Sequence, residues 1–191
     1  MQKAVLLSAF ASGLLLASSA HAEVNITGLA NSCNNCHGVN GVSAGESMPS
    51  IGGLPEAYLK NIMMEWKTGA RYSATMGRLI KGYTEEEISA LAAYFSKKPW
   101  TPVAQKTDAK LVKKGKTVAE KCSACHGDTG ASEDADTPKL NGQWAKYMAL
   151  ELMKYRDEAV TMPHKKMRSA AMKAGEDDGN AAAEFFASQK K

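Results

Sequence analysis

Outside two five-residue runs the sequence has no cysteine, and beyond its first 22 residues it has only three histidines. No thiol therefore stands outside those runs to serve as a separate nucleophile. A Gly-x-Gly-x-x-Gly fingerprint following a strand is also missing, so the chain offers no dinucleotide site of its own. No apolar run reaches the ~20 residues of a spanning helix. The longest, from Ala4 to Ala17, follows Lys3 and leads into Ala20-His21-Ala22, the small-x-small pattern at which signal peptides are cut. Residues 1–22 therefore read as a secretory signal peptide, His21 leaving with it, and the mature chain Glu23–Lys191 as an exported, periplasmic protein without a membrane span. Excess charge is equally scarce. Residues 23–105 hold seven basic and seven acidic side chains, and residues 106–191 sixteen and thirteen. A second-half balance of +3 is no nucleic-acid footprint, and the paired lysines Lys113-Lys114, Lys165-Lys166 and Lys190-Lys191 read as solvated surface.

The cysteines that are present form Cys33-Asn34-Asn35-Cys36-His37 and, 89 positions later, Cys122-Ser123-Ala124-Cys125-His126. Cys-x-x-Cys-His is the attachment signature of c-type haem: two thiols bond covalently to the porphyrin edge and the adjacent imidazole ligates the iron. A redox disulfide or half a zinc site would need only the Cys-x-x-Cys part, and repetition of all five residues in an exported chain argues against both. Cys33, Cys36, Cys122 and Cys125 are thus the expected covalent attachment points of two haem c groups, with His37 and His126 as axial ligands.

At the same offset Gly38 meets Gly127, Gly41 meets Gly130, Pro49 meets Pro138, Ile51 meets Leu140, Gly53 meets Gly142 and Tyr58 meets Tyr147. Two further residues in the second copy shift the register, after which Met76 meets Met167, Glu85 meets Glu176 and Phe95 meets Phe186. One domain copied in tandem explains this. The expected units are 23–98 and 108–191, joined by a stiff linker, 99–107, that contains Pro99 and Pro102. Each is small for a hydrophobic core alone, and a haem would serve as its staple.

The periodicity is helical throughout. Short helices should lead into the motifs over Val24–Asn31 and Asp108–Lys121, followed by Gly- and Ser-rich loops such as Gly38–Gly53. Leu59, Ile62, Met63 and Trp66 mark one face of a second helix, matched by Met148, Leu152 and Tyr155. Thr84 and Glu87 form a capping box ahead of Ile88, Leu91, Ala92 and Phe95. In the second copy Gly179, Ala182 and Ala183 replace Ile88, Leu91 and Ala92, so that helix should be weaker.

An electron carrier needs a sixth iron ligand, and thioether ligation raises the potential. The chain has ten methionines; the repeat selects Met76 and Met167, with Met162 and His164 as rivals at the second iron. Pro49 and Pro138 are candidate carbonyl acceptors for the second nitrogen of each proximal imidazole, or else mere turn residues.

These residues resemble a known family. The tandem Cys-x-x-Cys-His, the Pro-x-Ile/Leu-x-Gly runs and the Ala-Ala-Tyr-Phe ending are similar to class I dihaem cytochromes, cytochrome c4 among them. The run Thr75-Met76-Gly77-Arg78-Leu79-Ile80-Lys81-Gly82-Tyr83 is similar to the haem subunit of flavocytochrome c sulfide dehydrogenase. So are Gly142-Gln143-Trp144, Tyr155-Arg156, Lys165-Lys166-Met167 and Phe185-Phe186-Ala187-Ser188-Gln189. The resemblance implies an all-α chain of two tandem class I cytochrome c domains. It implies a non-catalytic subunit that takes electrons from an FAD-containing sulfide dehydrogenase subunit and passes them to a soluble acceptor such as a small cytochrome. FAD would reside only in that partner. A free-standing carrier of the cytochrome c4 type, serving a terminal oxidase, is the alternative.

Overall fold

The structure is a computed structural model that describes residues 25–190. The expected signal peptide lies outside the described residues, as does Val24. Among the described residues all regular structure is helical, in eight α-helices and two short 3-10 turns.

Helix α1, Ile26–His37, starts at Asn25, whose side chain accepts from the Gly28 amide, and ends at Gly38 with φ +76°. It extends past the expected end at Asn31 because no breaker intervenes before Gly38, so it carries the whole first motif. A Cβ at Gly38 would lie 1.9 Å from the Val42 carbonyl oxygen, so this turn accepts only glycine. The first half continues with α2, Glu56–Thr68, α3, Met76–Leu79, and α4, Glu85–Ser96. The capping box of α4 is formed: the Thr84 hydroxyl accepts from the Glu87 amide at 3.1 Å, and the Thr84 amide donates to Glu87 Oε2 at 2.7 Å.

The second half opens with α5, Ala109–Ala119, capped by Asp108. A turn over 120–122 interrupts it, and the second motif forms its own short α6, Ser123–His126. Helix α7, Ala145–Arg156, starts at the repeat equivalent of the first residue of α2 and ends one residue earlier. The closing helix α8, Lys165–Ser188, is bent at Gly175, where φ is +70°. Its first limb carries Met167 and its second limb the Phe185-Phe186 pair.

The duplication is visible in the hydrogen bonds. The Gly41 carbonyl accepts from the Ile51 and Gly52 amides, as the Gly130 carbonyl does from Leu140 and Asn141. The Gly53 amide donates to the Phe95 carbonyl at 2.9 Å, and the Gly142 amide to that of Phe186 at 2.8 Å. Each half has its own core. Leu54, Leu59, Leu91 and Phe95 fill the first; Val118, Met148, Phe185, Phe186 and a row of alanines fill the second.

The segment between α4 and α5 has no regular structure but is strapped to the second half. The Trp100 indole donates to the Asn141 carbonyl, the Val103 amide to that of Gly142, and Gln105 bonds both Gln143 and Ala145. The halves also touch directly. The Tyr58 amide donates to the Ala135 carbonyl at 3.1 Å, the Tyr72 amide to that of Thr161 at 2.7 Å, and the Asn61 side chain to Asp136 at 3.0 Å.

Candidate haem site

Both Cys-x-x-Cys-His motifs open into one continuous cavity of ≈ 410 Å³. The first half lines it with Leu54, Leu59, Met63, Leu91 and Phe95, and the second with Val118, Leu140, Met148, Leu152 and Phe186.

Each proximal histidine is held by a proline carbonyl. The His37 Nδ1–H donates to Pro49 O at 2.9 Å, and the His126 Nδ1–H to Pro138 O at 3.2 Å. A carbonyl can only accept, so Nδ1 carries the hydrogen and the lone pair is on Nε2, the nitrogen left free for a metal. Burial pulls the pKa of both imidazoles down, against the opposing pull of the proline carbonyls, and favours the neutral ligating form. The expected role of Pro49 and Pro138 as acceptors is present in this geometry.

None of the four cysteines is paired in a disulfide. Cys33 and Cys122 are partly buried and line the cavity, and burial pushes both thiols up. Cys125 lines the cavity as well, and Cys36 is exposed beside it. Met76, at the start of α3, and Met167, in the first turn of α8, are half-buried cavity residues. Met162 is buried against Tyr155 and Ala171, with Met167 packed on the same cluster. His164 is exposed, takes φ +62°, and donates to or pairs with Glu65 of the first half at 2.9 Å. That bond turns its Nε2 toward Glu65.

These residues fit haem c. The set comprises two thiols and one neutral imidazole per motif, a thioether in the cavity lining from each half, and apolar walls. The Trp66 indole N–H lines the cavity, buried and without a partner; each haem brings two carboxylates that can accept such a donor. Haem, when bound, supplies the one-electron couple of its iron.

The cytochrome c family profile matches residues 112–190. The chain is 32% identical over 168 residues to cytochrome c4 of Azotobacter vinelandii, covering 76% of this chain and 79% of that one. The chain belongs to the cytochrome c4-like family of dihaem cytochromes. A crystal structure of reduced recombinant cytochrome c4 from Pseudomonas stutzeri superposes with a TM-score of 0.77 at 25% identity, covering 86% of this chain and 96% of that one. The cytochrome subunit of sulfide dehydrogenase from Chlorobaculum tepidum is 45% identical over 64 residues, 34% of this chain and 57% of that protein. As a family member the chain is an electron carrier built from two class I cytochrome c domains with covalent haem c.

Several residues at the junction of the halves carry no sequence motif. Arg71 is 5% exposed and lines the cavity. Its Nε donates to Glu65 at 2.9 Å and its Nη2 to the Tyr155 hydroxyl at 2.8 Å, and Glu151 lies 3.7 Å away. Burial pushes the hydroxyls of Tyr58 and Tyr147 up, so both stay neutral around this cation. One signal was available: position 71 has no basic counterpart at either repeat offset, where Val160 and Met162 stand.

Proposed function

We propose that this chain is the dihaem electron-accepting subunit of a periplasmic, FAD-containing sulfide dehydrogenase. Cys33 and Cys36, and Cys122 and Cys125, attach the haems. His37 with Met76, and His126 with Met167, complete the iron ligand sets. The observation that carries the reading is the single cavity into which both motifs open. A flavin reduced by sulfide holds two electrons, whereas a haem accepts one. Two haems in one compartment can take both and return the flavin to its oxidised state.

The local likeness to a sulfide dehydrogenase cytochrome subunit supports the partner. Sulfide chemistry belongs to that flavoprotein, because all four thiols here are committed to attachment. The first half, with balanced charge, suits a desolvated interface. The lysine-rich second half suits a soluble acceptor such as a small cytochrome, and that encounter should weaken with salt. The test is purification from the native host followed by addition of sulfide. Rapid haem reduction only with a co-purifying flavoprotein supports the reading. A flavin-free preparation that serves an oxidase directly would instead support a free-standing carrier, which the likeness to cytochrome c4 over 76% of this chain favours.

The ligand assignment has its own test. Met167→Ala should remove half of the long-wavelength sulfur-to-iron charge-transfer band and lower one potential. Loss of that half on Met162→Ala instead would transfer the role to Met162.

A further inference from the structure

The loop that holds the first proximal histidine is itself held by the other half of the molecule. Pro49 O accepts from His37 Nδ1–H, and the same peptide unit carries the Ser50 N–H. That N–H donates to Gln143 Oε1 at 3.0 Å, while Gln143 Nε2 donates to Ser50 O at 2.9 Å. Gln143 is 2% exposed and Ser50 1%. At the far end of the loop the Trp144 indole donates to Ser43 O at 3.1 Å, and the Ser43 amide donates to the Ser50 hydroxyl. Two adjacent residues of the second half thus grip both ends of a first-half loop.

A peptide unit is planar, so fixing its N–H fixes the direction of its C=O. A hydrogen bond at the N–H also polarises the carbonyl and makes it a stronger acceptor. Both effects strengthen the bond to His37. The second half has no such device. Its histidine bond is longer, 3.2 Å against 2.9 Å, and the Lys139 amide, the counterpart of Ser50, has no comparable partner among the described residues. In the first half the repeat position of Gln143 is Leu54, which cannot donate or accept.

We propose that Gln143 is a positioning residue for the first haem, setting through the Pro49–Ser50 peptide the hydrogen bond that makes His37 a more basic ligand. A more basic imidazole favours ferric iron, so Gln143 lowers the potential of the first haem and leaves the second alone. The inference rests on His37 as the first proximal ligand and is independent of which protein donates the electrons. Loss of first-haem attachment or ligation in His37→Ala checks that assignment separately.

The experiment is spectroelectrochemical titration of the full-length holoprotein, with the first-half step assigned beforehand through Met76→Ala. Gln143→Leu, which installs the residue of the first half, should shift the first-half step upward and leave the other in place. Gln143→Met should do the same. Two unmoved steps, or two steps moving together, would overturn the proposal; a purely structural residue would lower stability without shifting one potential. A measurement without variants guards against misfolding: in the ferric protein the His37 Nδ1 proton should exchange with D2O more slowly than that of His126. Equal or faster exchange would also overturn it.

Discussion

The two halves build one haem-binding plan from different packing. In the first, Ile88, Leu91 and Phe95 of α4 bury large side chains, and α1 crosses nearby with Ile26. In the second, the matching positions are Gly179, Ala182, Phe186 and Gly115. Small residues let α5 and α8 approach until a Cβ at Gly115 would lie 1.9 Å from the Ala181 carbonyl oxygen. Apolar area lost to alanine is offset by backbone proximity and dispersion. The parts that touch the proposed ligands, meanwhile, match closely: glycine φ +76° and +75° after the histidines, and a proline carbonyl on each Nδ1.

Breaking the junction should have the largest effect. Arg71→Met leaves Glu65 and Glu151 without their buried cation and should cost about 3–5 kcal/mol, read as a lowered guanidinium midpoint of the holoprotein. Next comes Leu91→Ala, which gives the first half the alanine of the second without its close helix approach. A cavity should result, at about 2–5 kcal/mol, in the same unfolding assay. Gly115→Ala sharpens the comparison from the other side: α5 must retreat from α8, costing about 1–3 kcal/mol. Thermal melts should show a lower midpoint where an ordinary helical Gly→Ala change would raise it. The smallest effect belongs to the α4 cap, where Thr84→Ala should cost about 1 kcal/mol and speed amide exchange in the first turn of α4.

Much of this was legible in the sequence because it repeats or is periodic. The attachment motifs, the proline acceptors, the capping box and the α2 and α7 faces all depend on short separations. Met76 and Met167 followed from register, and both line the cavity. The helix ends were less evenly legible: α1 runs on to Gly38, while α5 stops at Ala119, within two residues of the expected end. At Gly175 the backbone leaves helical geometry, which separates the limb carrying Met167 from the limb carrying Phe186. Arg71, Glu65, His164 and Gln143 were invisible as a group because their partners lie in the other half. His164 stood in the sequence only as a rival ligand at the second iron; its bond to Glu65 had no local mark, the two residues lying 99 positions apart. Gln143 stood out only within a family-like run, without a role.

The strapped segment between the halves bears on how the molecule comes apart. Trp100, Val103 and Gln105 bond the peptide run 141–143, and Gln143 in turn bonds Ser50 across 93 positions. A connector tied down in this way leaves no hinge, and opening either half strips hydrogen bonds from the other. Heating should therefore give one cooperative transition, with calorimetric and van't Hoff enthalpies in agreement, although the chain contains two copies of a domain. The order of folding is constrained as well: the first copy cannot finish its own loop until Gln143, just before α7, is in place.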